Sequence, residues 1–364
     1  MMYWLIVALL SLMYLHPLLK LLRLRESDSA QPYTPTALVV VPVRGAEDTF
    51  PQLLRALLEQ DYQGRFEVRV VVDSPEDPAW QYLAQIDADT IQGVALESMG
   101  EHCSLKNSSL MQEASRIGDA EVMVCLDSDV IPPRHWLRTL INGLADEQVK
   151  ASFGLRWYVP QDRRPASLLL HAWSQSAVLY HVGAKAVWAG SCAYKAEALP
   201  ALTKRWEETI SDGIPVSGVF RKEGWQIACV PLVLVTVSST TMRDLIRFQT
   251  RQCWMARVHG VWLPVLFVTL LGTFFWCFSP FHAPGAFLFG WAFTFTGDYL
   301  VRDWLGSRAG VRVGFHPFDL VKVPLGSFIS MWCCLAATFK KTVCWRGIWY
   351  QSGRRLNYAP WQVD

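Results

Sequence analysis

Two aspartates one residue apart, Asp127 and Asp129, are the residues of this chain best suited to chemistry. They follow the run 120–126, whose apolar residues predict a buried strand that presents both carboxylates at its carboxyl end. In an open α/β sheet, ligands bind at that edge. Hard oxygen ligands suit Mg²⁺ or Mn²⁺ and, through the metal, a diphosphate. The alternative is a solvated turn at a strand end, where Asp and Ser are common.

Two earlier strands are predicted to end near these aspartates. Residues 37–41 and 66–72 are rich in Val, as buried strands are. The first runs into a loop that contains Pro42 and Arg44, and the second runs directly into Asp73. Because the carboxyl ends of parallel strands meet at one edge, three strand ends should converge on a single crevice.

The elements around this crevice predict the fold class. Residues 49–60 have helical apolar spacing and lie between the first two strands, which predicts a βαβ unit. Further helices are expected at 80–86 and 108–117, and a strand at 122–126. The expected fold is therefore α/β, with a mainly parallel, doubly wound sheet. The chain contains no G-x-G-x-x-G, P-loop or G-x-S-x-G motif, which disfavours dinucleotide oxidoreductases, P-loop NTPases and serine hydrolases.

The composition points to a membrane rather than to nucleic acid. The chain of 364 residues is 51% hydrophobic, contains 17 Trp, and has a net charge of only +2. Its basic residues cluster locally beside apolar segments, as at a membrane surface. The nine Cys are scattered without a CxxC pair, so reduced thiols on the cytosolic side are expected. No feature of the sequence indicates an oligomeric state.

Apolar segments at both ends predict an integral membrane protein. Residues 2–22 are long enough to span a bilayer, and the basic residues after them place the N-terminus outside and the next domain in the cytoplasm. Residues 261–279 and 285–301, joined by the link 280–284, predict a helical hairpin. For residues 323–339, a re-entrant or interfacial helix keeps the following basic residues inside; a third span and a buried core helix are the alternatives.

These observations divide the chain into five segments. They are the anchor at 1–25, the catalytic domain at 36–237, an amphipathic interfacial helix at 240–260, membrane segments at 261–339 and a cytosolic tail at 340–364.

Several short segments, in order and spacing, resemble the GT-A glycosyltransferases of family 2 type and, more narrowly, the ceramide glucosyltransferase family (family 21 type). The likeness runs from the first membrane segment to near the C-terminus, and it implies a GT-A, Rossmann-like cytosolic domain that uses a UDP-sugar. The segments that carry it are 42–47, Asp77-Pro78-Ala79, Lys106-Asn107-Ser108-Ser109-Leu110, 125–129, Ala189-Gly190-Ser191-Cys192, Ile210-Ser211-Asp212, 223–226, Phe248-Gln249-Thr250-Arg251 and Trp345-Arg346-Gly347-Ile348-Trp349-Tyr350.

The chain departs from the family pattern at two places. The family's Gln/Arg-x-x-Arg-Trp motif aligns with residues 251–255, where its Arg is Trp254 and its Trp is Met255. The Ser-His pair that eukaryotic members carry before the Gly-Ser-Cys segment is Ser176 and Ala177 here. Both differences fall where the acceptor or leaving group would be handled.

The resemblance assigns roles on the donor side. Asp127 and Asp129 would hold Mg²⁺ or Mn²⁺ against the diphosphate, with Asp129 the more direct ligand, and Lys106 would lie near the phosphates as a point charge. A solvated surface position is the alternative for Lys106.

For the nucleotide base, Asp73 or Asp77 would accept a hydrogen bond from uracil or ribose. Arg44 and Pro42 would frame the base. The alternative for the two aspartates is capping and turn chemistry around Pro78.

On the acceptor side, Asp212 is the candidate general base, unless it only forms a turn. Arg251, Gln252 and Trp254 lie on a predicted amphipathic helix, residues 242–257, where Arg would pair with the diphosphate and Trp would contact sugar or acceptor. The alternative is an interfacial helix whose Arg residues meet head groups and whose Trp belongs to an aromatic belt.

The expected function is inverting transfer of a hexose, glucose by resemblance, from a UDP-sugar to the hydroxyl of a membrane lipid such as ceramide. Two alternatives remain open. One keeps the donor but uses diacylglycerol, a hopanoid or a polyprenyl phosphate as the acceptor, and the other is a non-catalytic membrane scaffold with a GT-A fold.

Overall fold

The computed structural model describes residues 1–25, 32–86, 89–351 and 354–355. The chain forms two compact units. What we call the α/β unit contains Arg25–Leu155, Lys185–Leu234 and Lys341–Asp364, and the membrane unit contains Met1–Leu24, Arg156–Ala184 and Val235–Lys340. These units do not coincide with the predicted linear segments, because residues 156–184 group with the membrane unit. The predicted tail, 340–364, lies partly outside the described residues.

In the part of the chain that the structure describes, ten strands form two sheets. They are β1 Ala37–Val43, β2 Phe66–Val72, β3 Ile91–Ala95, β4 Val122–Leu126, β5 Val149–Pro160, β6 Ser191–Lys195, β7 Gln226–Ser238, β8 Thr342–Trp345, β9 Ile348–Gln351 and β10 Arg354–Arg355. The seven-stranded sheet has the order β3-β2-β1-β4-β6-β5-β7. Strands β3, β2, β1 and β4 pair in parallel, whereas β6 is antiparallel to β4 and β5. The predicted α/β fold class is confirmed.

Twelve α-helices are described. They are α1 Met2–Leu22, α2 Phe50–Leu58, α3 Ala79–Leu83, α4 Leu105–Ser115, α5 Trp136–Asn142, α6 Pro165–Ala184, α7 Leu199–Trp206, α8 Val216–Glu223, α9 Met242–Val258, α10 Trp262–His282, α11 Pro284–Ala309 and α12 Lys322–Phe339. Helix α2 shows how the apolar pattern sets the packing: Phe50, Leu53, Leu54 and Leu57 are buried on one face. Strands β1 and β4 are buried almost throughout, as central parallel strands must be.

Three helices of the membrane unit are long and apolar enough to cross a bilayer: α1, α10 and α12. Helix α11 does not meet that criterion, and its second half carries Asp298, Arg302 and Asp303. The predicted five-residue link between the hairpin helices is wrong, since α10 continues through Pro280 to His282 and only Ala283 separates it from α11.

A buried ionic cluster fixes the first residue of α12. The Lys322 side chain is almost fully buried, and its Nζ lies 2.5 Å from Asp298 Oδ2 and 3.1 Å from Asp319 Oδ1. Arg302 Nη1 contacts the other oxygen of Asp319 at 2.9 Å. Removing one partner of such a buried network typically costs about 3–5 kcal/mol. The cluster therefore ties α12 to α11 and to the turn that joins them.

The unit to which the residues after α12 belong bears on the predicted membrane topology. Lys341 belongs to the same unit as Leu234, so a fold that keeps the α/β unit on one side of a bilayer needs an even number of crossings between these two residues. Helix α10 with α11, or α10 with α12, would satisfy this condition. The pairing of α10 with α11 stays a prediction: a one-residue link joins the two helices, and the basic residues Arg308, at the end of α11, and Arg312, just after it, are expected on the cytoplasmic side, although α12 is the more apolar helix.

An epitope inserted after Arg312, and a second one at the C-terminus, should both be detected only after the cells are permeabilised. Helix α12 would then enter and leave the membrane on the cytoplasmic side. A tag at the N-terminus should react in intact cells and serves as the control. Detection of the Arg312 tag in intact cells would show that α12, not α11, makes the returning crossing.

Candidate active site

Three charged side chains meet at the carboxyl end of β4. Lys106 lies in the first turn of α4, and its Nζ is 2.5 Å from Asp127 Oδ1 and 2.5 Å from Asp212 Oδ2. Lys106 Nζ also lies 3.4 Å from the carbonyl oxygen of Ala189, to which it donates. The predicted metal ligand and the predicted base are thus joined through one ammonium group, and Lys106 is not a solvated surface residue.

Electrostatics holds this group of three together. Burial disfavours the charged form of Lys106, but the negative charges of Asp127 and Asp212 outweigh it and raise the pKa of Lys106 above its usual range. All three side chains are largely buried: the exposed fraction is 14% for Lys106, 24% for Asp127 and 13% for Asp212. An ammonium between two carboxylates in such a setting stays protonated throughout the physiological pH range.

The loop that carries Asp212 is held by Asn107, the neighbour of Lys106. Asn107 is fully buried, and its Nδ2 donates to the carbonyl oxygens of Trp206 (3.1 Å) and Thr209 (2.6 Å). Trp206 Nε1 in turn donates to the carbonyl oxygen of Asp212 at 2.9 Å. Helix α4 therefore supplies both the cation and the amide that holds the loop of Asp212, the predicted base. The sequence indicates that this first helical turn belongs to the site, but it does not predict the role of Asn107.

Gly190 is required by the close approach of Asp127. The backbone N–H of Asp127 donates to the carbonyl oxygen of Gly190 at 3.0 Å, which continues the pairing of β4 with β6. A Cβ at position 190 would lie 2.3 Å from Asp127 Oδ2 and 2.5 Å from ring atoms of Trp188. Only glycine leaves room for the carboxylate in this orientation. The Ala189-Gly190-Ser191-Cys192 segment marked this position in the sequence without revealing the reason.

Gly190→Ala should lower turnover by about 100-fold, since a displacement of roughly 1 Å in a catalytic group has that effect. The matched control is Gly218→Ala in α8, where an added Cβ meets no atom within 4 Å. The measurement is the initial rate of each purified variant, compared with that of the wild type. Equal activity of both would mean that the position of Asp127 is not critical.

The acidic pair fits a divalent cation that shares its shell with a ligand. Asp127 and Asp129 follow β4 and offer hard carboxylate oxygens, and Gly190 leaves space beside the first of them. Among the described residues, no group of three or more His, Cys, Asp or Glu side chains could hold a metal ion. A site with two protein carboxylates is typical of Mg²⁺, which retains waters and binds substrate phosphates.

The two aspartates after β2 have different surroundings. Asp73 forms an ion pair with Arg44 Nη1. Burial raises the pKa of Asp73, and nearby Asp77 adds to this, while Arg44 opposes it. Asp77 instead binds backbone: Oδ2 accepts from the N–H of Gly45 at 2.6 Å and Oδ1 from the N–H of Ala79 at 2.9 Å. Asp77 thus ties the first loop to the start of α3.

The first loop begins inside the sheet. Pro42 belongs to β1 and is in register with Val71 of β2, so it lies at the edge where Asp73 follows. Gly45 adopts φ +78°, in the left-handed region that favours glycine. In this conformation the N–H of Gly45 points towards Asp77, and the Arg44 side chain lies beside Asp73. The structure therefore brings the loop of Pro42 and Arg44 together with Asp73, as the strand pattern predicted, and with Asp77, which the resemblance had indicated.

The three remaining candidates lie on α9 in the membrane unit. Trp254 is fully buried, Gln252 is half-buried, and the guanidinium of Arg251 lies 5.5 Å from the ring centre of Phe248. A buried Trp254 differs from the exposed tryptophan of an aromatic belt. The roles of these three residues towards a substrate stay a prediction.

Comparison with known proteins identifies the family. Among solved structures, the chain is similar to a mannosyltransferase from Pyrobaculum calidifontis in complex with GDP-Man and Mn²⁺, with 18% identity, a TM-score of 0.49, and coverage of 92% of this chain and 97% of that one. It is also similar to the glucosyl-3-phosphoglycerate synthase of M. tuberculosis, with 18% identity, a TM-score of 0.41, and coverage of 62% and 78%. No curated protein sequence matches the chain. The model of glycosyl transferase family 21 matches residues 3–355, nearly the whole length. The chain belongs to glycosyl transferase family 21.

Proposed function

We propose that this protein transfers a hexose, glucose by resemblance, from a UDP-sugar to the hydroxyl group of a membrane lipid, most simply ceramide, with inversion at the anomeric carbon. The observation that carries the proposal is the contact of Lys106 with both Asp127 and Asp212. It supplies a cation and a metal-binding carboxylate for the leaving diphosphate, and a second carboxylate for the attacking hydroxyl.

On the donor side, Asp127 and Asp129 would hold Mg²⁺ or Mn²⁺. When bound, this ion stabilises the negative charge that develops on the leaving UDP. Arg44 and Asp73 form the part of the site that would contact the uracil or ribose. Each carboxylate oxygen of Asp77 already accepts a hydrogen bond from a backbone N–H. We therefore assign the contact with uracil or ribose to Asp73 and a positioning role to Asp77.

On the acceptor side, Asp212 would take the proton of the lipid hydroxyl as the new glycosidic bond forms. The proton moves to the carboxylate, the hydroxyl oxygen binds the anomeric carbon, and the bond from that carbon to the diphosphate oxygen breaks. One base is sufficient for a single displacement with inversion. A donor diphosphate would offer Lys106 new oxygen acceptors, and a weaker bond to Lys106 frees Asp212 for this proton transfer.

The apolar helices support a lipid acceptor. Helices α1, α10 and α12 are apolar enough for the bilayer, and large apolar side chains such as Leu263, Phe267 and Leu288 are exposed in the membrane unit. The hydroxyl of such a lipid lies at head-group depth, and the proposed nucleotide-sugar donor is cytosolic. Arg251, Gln252 and Trp254 on α9 are proposed to contact the acceptor or the diphosphate.

The test is a screen for UDP release across donor sugars and lipid extracts, with Mg²⁺ or Mn²⁺ present. Thin-layer chromatography with ceramide and diacylglycerol supplied separately identifies the acceptor. Release of UDP with UDP-glucose and ceramide supports the proposal. Transfer only to diacylglycerol, a hopanoid or a polyprenyl phosphate would exclude ceramide, and no release with any donor and extract would favour a scaffold without catalysis.

A further inference from the structure

The hairpin of strands β8 and β9 contacts the loop that carries Arg44. Strands β8 and β9 are joined by two residues, Arg346 and Gly347, because Trp345 pairs with Ile348. The Arg346 carbonyl oxygen accepts a hydrogen bond of 2.8 Å from Arg44 Nε. The guanidinium of Arg44 also holds Asp73 through Nη1. One side chain therefore connects the hairpin to Asp73, the proposed contact for uracil or ribose.

The backbone of this turn is unusual for its sequence. Both turn residues have positive φ, +50° at Arg346 and +76° at Gly347, as a two-residue type I′ hairpin requires. Asn, Asp or Gly is favoured at the first position, and an arginine there is strained. Residues held in such conformations persist when the surrounding contacts determine them, and they are concentrated at functional sites.

The contacts of Arg346 account for its conformation. Its Nη2 lies 2.7 Å from Glu47 Oε1, in the same loop that carries Arg44. The backbone carbonyl and the side chain of one residue therefore hold both ends of the segment 44–47. The Arg44 side chain is only 10% exposed, which limits other orientations of the guanidinium.

We propose that the β8–β9 hairpin is a positioning element of the donor site, in which Arg346 fixes Arg44 and, through it, Asp73 for the nucleoside of the donor. The inference rests on the proposed function for the identity of the ligand. Arg346 and Gly347 act on the nucleotide only through Arg44, so they are positioning residues. Their loss should weaken nucleotide binding without slowing the chemical step.

The experiment compares two substitutions at one position in the full-length protein. At φ +76°, Gly347→Val is strained by its β-branched side chain, whereas Gly347→Asn is tolerated. An added Cβ would meet only Arg44 Nη2, at 4.0 Å, so the difference reports backbone conformation rather than a clash. We expect Gly347→Val to raise the Kd of UDP and the KM of the donor by about tenfold or more, with kcat and the lipid KM unchanged, and Gly347→Asn to resemble the wild type.

The ion pair is tested by Arg346→Asn, which retains a favourable turn residue, and by Glu47→Gln. Each should raise the Kd of UDP by about two- to fivefold, the range for a partly exposed pair, and the double variant by no more than one of them. Arg138→Asn, which removes the similarly exposed pair with Asp61, is the matched control and should have no effect. If the wild type and Gly347→Val bind UDP with the same Kd, the hairpin does not have the positioning role. Wild type that binds no UDP would instead overturn the proposed function.

Discussion

Asp212→Asn should reduce the turnover number by about 100- to 10,000-fold, the usual contribution of a positioned general base. The amide has the size of the carboxylate but cannot take the proton of the acceptor hydroxyl. It also leaves Lys106 with Asp127 as its remaining carboxylate contact at this point of the site. The measurement is kcat for UDP release with a saturating donor and lipid acceptor.

Two controls separate lost chemistry from lost structure. Asp61→Asn removes a carboxylate of the same unit whose partner, Arg138, is exposed, and it should leave kcat unchanged. The Asp212→Asn protein should still bind UDP, since Asn107 and Trp206 hold the loop through backbone atoms. Retention of more than about a tenth of the activity would show that another group, or water, is the base.

Asp129→Ala should nearly abolish activity and weaken the activation by Mn²⁺ or Mg²⁺. A metal that stabilises a leaving diphosphate contributes several kcal/mol to the transition state, which corresponds to a loss of at least about 100-fold. The wild-type enzyme should lose activity with a chelator and regain it when Mn²⁺ is added. Titration of activity against the metal concentration, together with Mn²⁺ binding in the presence of UDP, provides the measurement.

Ser128→Ala is the control for this substitution, because it changes the residue between the two aspartates and leaves both carboxylates in place. It should retain the metal dependence of the wild type. An Asp129→Ala enzyme with normal metal activation would remove Asp129 from the metal site. An enzyme that ignores the chelator would contradict the metal-dependent mechanism as a whole.

The sequence predicted the elements that its local pattern controls. The bounds of α1, β2 and β4 agree with the predicted segments, and α9 differs by one residue from the predicted amphipathic helix. Hydrophobic periodicity determines such elements because each must bury one face, or both, whatever its neighbours are. The convergence of Arg44, Asp73 and Asp127 on one edge followed from the same argument, since parallel strands end together.

Contacts between distant segments were decided by the tertiary structure. Three contacts have no local signal in the sequence. Lys106 meets Asp127 and Asp212, and Asp77 binds backbone N–H groups of the first loop and α3. Arg346 contacts Arg44, which lies 302 residues away in the chain. A hydrogen bond or ion pair depends on distances of a few tenths of an ångström, which only the packed chain fixes. The sequence by itself therefore determined which residue types reach the crevice. The tertiary structure decided which of them act on one another, because charge and hydrogen bonding select partners only after burial has brought them within reach.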